Sequence, residues 1–153
     1  MTDPRAYIRR ETAISILISM AISAGFFLML FGVVDPVPVR GLRGYAVDFL
    51  PQTFMVGLMG ALVPGVLTRK RITNSTIAAI ATPSFWPGAV LPRSVLMALL
   101  SALVMGGGAM AILAALGAAT VPWTPALTIK VAVGGLVAAI VTPAAIRATL
   151  AAA

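Results

Sequence analysis

Ala13-Ile-Ser-Ile-Leu-Ile-Ser-Met-Ala-Ile-Ser-Ala-Gly-Phe-Phe-Leu-Met-Leu-Phe-Gly-Val-Val34 runs for 22 residues without a charge. At about 1.5 Å of rise per residue a helix of this length reaches about 33 Å, enough to cross a roughly 30 Å hydrocarbon core. Phe49–Thr68, Ser94–Thr120 and Pro125–Ile146 are comparable, and Lys130 is the only ionisable residue well inside any of them. In lipid a backbone must satisfy its own hydrogen bonds, which leaves helices or a closed barrel. Barrel strands are about ten residues long with alternating polarity; these stretches are about twice that and apolar on all sides. The expected fold class is all-α, a four-helix bundle of transmembrane helices forming one membrane domain over 1–153.

Composition agrees. The chain is 60% hydrophobic and 10% charged, far from the roughly 25% charged residues of soluble domains, so little is left for an extramembrane domain. The net charge of +7 has a distribution that argues against a nucleic-acid partner. Arg5, Arg9 and Arg10 precede the first span, Arg69, Lys70, Arg71 and Arg93 lie between the second and third, and Arg147 follows the fourth. Only Arg40 and Arg43 lie in the loop between spans one and two. That asymmetry is the positive-inside pattern and places both termini and the central loop in the cytoplasm. Tyr7, Tyr45, Trp86 and Trp123 fall outside the spans, as expected of an interfacial aromatic belt. The first apolar run exceeds the h-region of a signal peptide, so a retained helix is expected.

The chain divides into two similar units, 5–71 and 93–150, joined by an interfacial loop, 72–92. Each has a basic residue before a long helix (Arg10, Arg93) and a proline-containing outer loop (Asp35-Pro36-Val37-Pro38; Val121-Pro122-Trp123-Thr124-Pro125). Each closes with a Gly/Ala-rich helix ending in proline and then arginine: Pro64 with Arg69, Pro143 with Arg147. Two helical hairpins with the same orientation would be parallel repeats about an axis along the membrane normal. The unit resembles small two-helix bacterial membrane proteins of unknown function, here as a tandem pair. The resemblance implies a multi-pass protein of the bacterial inner (plasma) membrane and brings no activity with it. In the central loop, Asn74 or Ser75 is positioned to cap a short helix over Thr76–Ala81, lying flat at the interface beside Phe85 and Trp86.

Lys130 sits about one and a half turns from the outer end of the fourth span. Snorkelling of its stem to the outer interface is the first reading. A structural pair with Asp48, or a solute path, are the others, and Gln52 completes a candidate polar cluster of Asp48, Gln52 and Lys130. If the pair forms at a hydrated edge, Lys130→Met is expected to cost little.

Thr12, Ser15, Ser19 and Ser23 share one face of the first helix. Gly57, Ala61 and Gly65 recur every four residues, and Gly106, Gly107, Gly108 and Gly134 add further small positions. Such residues let helices approach closely where no hydrophobic force drives them together. These are the candidate helix-packing positions, the triple glycine being either a close crossing or a flexible break.

With no histidine or cysteine there is no imidazole or thiolate ligation and no histidine base for a serine nucleophile. Asp3, Glu11, Asp35 and Asp48 all fall at or beyond the span boundaries, which leaves no intramembrane carboxylate relay. No cofactor or metal is expected. The expected function is a non-catalytic integral membrane or accessory subunit that packs against a larger membrane complex or forms an oligomer with itself. The alternative is a small-solute transporter or channel working as an oligomer.

Overall fold

The computed structural model describes residues 3–80 and 84–152. Four helices account for most of it: α1 (Pro4–Phe31), α2 (Phe49–Thr73), α3 (Val90–Ala115) and α4 (Trp123–Ala151). All four are long and apolar enough to cross a membrane. Exposed residues such as Leu17, Met29, Leu103 and Ile112 give the bundle an apolar exterior that water would not tolerate but lipid does.

Local chemistry sets the helix ends. Asp3 accepts a hydrogen bond from the Arg5 backbone N–H (3.1 Å) and Pro4 occupies the first turn, where its missing N–H costs nothing. Gly32 (φ 55°) ends α1 and Gly117 (φ 64°) follows α3, a region of backbone space that glycine enters without strain. In α3, Ala102–Gly106 form one π-turn.

Half of the apolar stretch of α4 and 44% of that of α2 are buried, against 22% in α1 and in α3, so α2 and α4 form the central pair. Helix α1 packs on α4, and α3 packs on α2. The partners within each hairpin, α1 with α2 and α3 with α4, barely touch. The bundle is therefore held by contacts between hairpins.

These crossings rest on small residues. A methyl group added to Gly134 on α4 would meet Ser23 of α1, its Cβ at 3.1 Å, and the Ser19 carbonyl at 3.3 Å. On the other side, a methyl on Gly57 of α2 would meet Ser101 Oγ of α3 at 2.8 Å. The two serines are 78 positions apart and the two glycines 77. Ala61 and Ala138 are both fully buried between the central helices. Thr142 ties three helices at one point: its hydroxyl donates to the Gly60 carbonyl (3.0 Å), which leaves the Ser15 hydroxyl to donate to Thr142 Oγ1 (2.7 Å).

The loops at the end of the bundle opposite the termini are joined to each other. Val37 pairs with Val121 and Pro38 with Thr120 in a two-residue antiparallel ladder. Trp123 donates from its indole to Gly32 O (2.7 Å) and from its backbone to Asp35 Oδ1 (3.0 Å). Beneath them Phe27, Phe31, Tyr45 and Phe49 form an aromatic cluster with edge contacts, the arrangement ring quadrupoles favour.

Two sequence expectations change here. Tyr7 and Tyr45 are buried, not members of an exposed belt: each hydroxyl finds a partner inside the bundle, Thr68 Oγ1 (3.0 Å) for Tyr7 and Ala126 O (2.7 Å) for Tyr45. Residues 76–80 are not helical, and Ala81 lies outside the described residues. Asn74 follows the last turn of α2, with its N–H on the Lys70 carbonyl, and Ser75 turns the chain at φ 55°, so neither starts a new helix.

Candidate functional site

Lys130 and Asp48 meet at the loop end of the central pair. Asp48 precedes the first residue of α2 and makes no side-chain cap to that helix; its carboxylate is engaged by Lys130 Nζ at 2.5 Å instead. The ammonium lies 4.0 Å from the Phe49 ring centroid and 5.1 Å from that of Tyr45, within the range of cation–π attraction. Gln52, one turn into α2, donates from Nε2 to Ser23 Oγ (2.9 Å) and to the Lys130 carbonyl (3.0 Å). The cluster of Asp48, Gln52 and Lys130 thus joins α1, α2 and α4. One atom is left over: Gln52 Oε1 is buried without a hydrogen-bond partner. Tyr45 closes the site from the loop. Burial, and then the neighbouring Asp48 carboxylate, hold its phenol well above the usual tyrosine value, so the hydroxyl keeps the proton that it donates to Ala126 O.

This geometry corrects the snorkelling reading. The Lys130 side chain is 1% exposed and points inward, because the face of α4 that carries it is the face packed against α2. The expectation that Lys130→Met would cost little assumed a pair at a hydrated edge, whereas the Lys130 half of the pair is buried and the Asp48 half is 16% exposed. Asp48 and Gln52 line a cavity of about 270 Å³, whereas Lys130 does not.

That cavity is the loop-end half of a longer groove between α1 and α2, which continues as a space of about 340 Å³ toward the termini. One wall is Ile14, Ile18, Ile22 and Phe26; the other is Met55, Met59, Val63 and Leu67. Each wall repeats every four residues, the spacing that aligns side chains along a helix face. Three intervals of four residues span about 18 Å of helix. All eight are substantially exposed. Ser15, Ser19 and Gly60 lie deeper, with Glu11 at the end nearest the termini.

The remaining packing positions fall mostly on internal crossings. Ser15 bonds Thr142, Ser19 and Ser23 face Gly134, Gly57 faces Ser101, and Gly65 lies against Val90 and Arg93. A methyl on Gly106 would meet Thr53 Oγ1 at 2.6 Å and the Phe49 carbonyl at 3.0 Å. Gly107 approaches only a carbonyl of its own helix, and a methyl on Gly108 would meet nothing within 4 Å. The triple glycine is therefore a crossing at Gly106 alone, at the end of the π-turn. Thr12 Oγ1, on the serine face, is buried and unpartnered.

Arg93 was legible only as one of the basic residues flanking the spans. It is fully buried, donating to Thr149 Oγ1 and, at 3.5 Å, to the Pro87 carbonyl, with Nε unpartnered. Gly65, whose added methyl would come within 3.6 Å of both Arg93 and Thr149, leaves it the room. At the same end Arg71 pairs with Glu11 (3.4 Å) and stacks over the Tyr7 ring (4.7 Å).

The fold and these sites define a multi-pass α-helical membrane protein. No family model, curated protein or solved structure matches the chain.

Proposed function

We propose that this chain is a non-catalytic membrane subunit that receives a transmembrane helix, from a larger complex or from a second copy, in the groove between α1 and α2. The observation that carries the reading is the pair of exposed, four-residue-spaced walls flanking a strip of small and hydroxyl residues. A neighbouring helix presents side chains at the same spacing, so ridges can enter such a groove. The abundance of small residues is weaker support, because Gly57, Ala61, Gly65, Gly106 and Gly134 already serve contacts within the bundle.

The solute-path alternative would need Lys130 accessible. Its packing against Asp48, Phe49 and Tyr45 favours a structural pair. The matching serine–glycine crossings, with near-equal sequence offsets, support descent from a duplicated hairpin. The arginine distribution supports cytoplasmic termini, and the resemblance to two-helix proteins supports a bacterial inner membrane.

The natural absence of cysteine makes the test direct. Single variants Ile18→Cys and Met59→Cys on the walls, and Leu103→Cys on the lipid face of α3, are treated with a bifunctional thiol- and photo-reactive crosslinker in native membranes. The wall variants should give a discrete higher-mass product and Leu103→Cys should not. Equal labelling of all three by a lipid-soluble maleimide, with no product, would refute the reading.

A further inference from the structure

At the end of the bundle that carries the termini, α1 and α4 and the segment after α2 enclose a cleft of about 720 Å³. Arg5 and Arg9 line it from α1, Arg147 from α4, and Ile8 and Ile80 form its apolar side. We propose that this cleft binds the headgroup of an anionic phospholipid, the three guanidinium groups taking the phosphate oxygens and the isoleucines the first carbons of the glycerol and acyl chains.

Charge is the first argument. Among the described residues the two ion pairs are Arg71 with Glu11 and Lys130 with Asp48, so no described carboxylate lies within pairing distance of Arg5, Arg9 or Arg147. Asp3 also lines the cleft, but its carboxylate accepts the Arg5 backbone N–H, and one negative charge faces three positive ones. Guanidinium groups fit phosphate oxygens through paired N–H donors. Basic pockets between helices at the membrane surface hold anionic headgroups for this reason.

Depth and shape are the second. Arg9 lies four residues before the apolar run that begins at Ala13, about 6 Å along the helix, which is headgroup depth. The wall opposite α1 is fixed in place, because the Ile80 N–H bonds the Leu150 carbonyl (2.9 Å). Ile8 and Ile80 pack on the buried cluster of Tyr7, Ile77, Ile146 and Leu150. The cleft therefore sets three cations beside a fixed apolar side, so that a phosphodiester and the first carbons attached to it can be held together.

The test uses the full chain, purified and delipidated in mild detergent. Binding is read as retained lipid by native mass spectrometry and as a thermal-midpoint shift followed by Trp fluorescence. Phosphatidylglycerol should bind and stabilise, and phosphatidylcholine at equal concentration should not. The variant Arg9→Gln/Arg147→Gln should bind phosphatidylglycerol roughly 25-fold more weakly, about fivefold for each lost cation. Arg40→Gln/Arg43→Gln, with the same charge removed at the opposite end, should bind normally. If the double cleft variant does not fold, Arg147→Gln alone carries the same comparison with a roughly fivefold loss. Equal weakening in cleft and control variants would overturn the proposal as bulk charge. An equal response to phosphatidylcholine would overturn it, and so would a full response to inorganic phosphate alone, which would make the cleft a site for a soluble anion.

Discussion

Replacing Lys130 with methionine separates a locked cluster from a hydrated pair. Methionine keeps much of the stem's volume and removes the charge, leaving Asp48 with no cation at 2.5 Å and a carboxylate that is 16% exposed. Breaking a buried pair from one side costs about 3–5 kcal/mol, because the surviving charge is stranded. Asp48 retains a narrow contact with the outside, which puts the expected loss at the lower end, about 3 kcal/mol. The cation–π contacts with Phe49 and Tyr45 disappear in the same step. Adding Asp48→Asn removes the stranded charge, so the double variant should return to within about 1 kcal/mol of the native protein. The assay is reversible unfolding in bicelles by SDS titration, followed through Trp86 and Trp123. A single variant that loses less than about 1 kcal/mol, the value of an exposed pair, would refute the reasoning. A double variant as unstable as the single one would refute it too.

Gly134→Ala places a methyl against Ser23 and the Ser19 carbonyl and should cost about 1–3 kcal/mol by overpacking. Gly108→Ala meets open space and should be neutral, or more stable by up to about 1 kcal/mol from helix propensity; the same SDS titration reads both. Tyr45→Phe removes a buried donor from Ala126 O and should cost about 1–2 kcal/mol at neutral pH. Because the folded phenol is raised, the folded state keeps its proton at a pH where the unfolded chain, with a value of about 10, releases it. Tyr45's contribution is therefore intact below about pH 10 and is lost as the pH rises further. Unfolding midpoints measured across pH 9–11 should fall in the native protein and fall less in Tyr45→Phe.

The spans were legible because twenty apolar residues in a row have few other fates. Their ends were less so. Helix α1 begins at Pro4, nine residues before the apolar run at Ala13, and α2 continues through Arg69, Lys70 and Arg71 to Thr73. Hydropathy marks the part of a helix in lipid, whereas capping decides where the helix stops. Which helix packs on which was not legible either, since α1 prefers α4 over its own hairpin partner through the fit of Ser23 on Gly134, a contact between residues 111 positions apart. The same ignorance of facing directions hid the burial of Lys130 and Arg93. Asp48 and Gln52 could be named as neighbours of Lys130 from depth alone, because three polar groups near one membrane level have few other partners. The π-turn at Ala102–Gly106 left no trace in residue type beyond the glycine at its end.

The polar cluster and the groove are parts of one arrangement. Helices α1 and α2 barely touch, yet neither is free to collapse onto the other, because each is held from behind. Ser23 and Ser15 fix α1 to α4, and Ser101 on Gly57 fixes α2 to α3. At the loop end, Lys130 with Asp48 sets the distance between α4 and α2, and Gln52 ties that pair to Ser23 on α1. Thr142 makes the equivalent three-helix tie deeper in the bundle, through Ser15 and Gly60. Two polar ties spaced along the helices hold the walls of the groove apart, where apolar side chains alone would slide together or separate. A charge pair is expensive to bury and contributes little net stability, but its directional contacts fix a register that lipid and leucine leave undefined. On the function proposed above, Lys130 would act by holding the groove open for a partner helix.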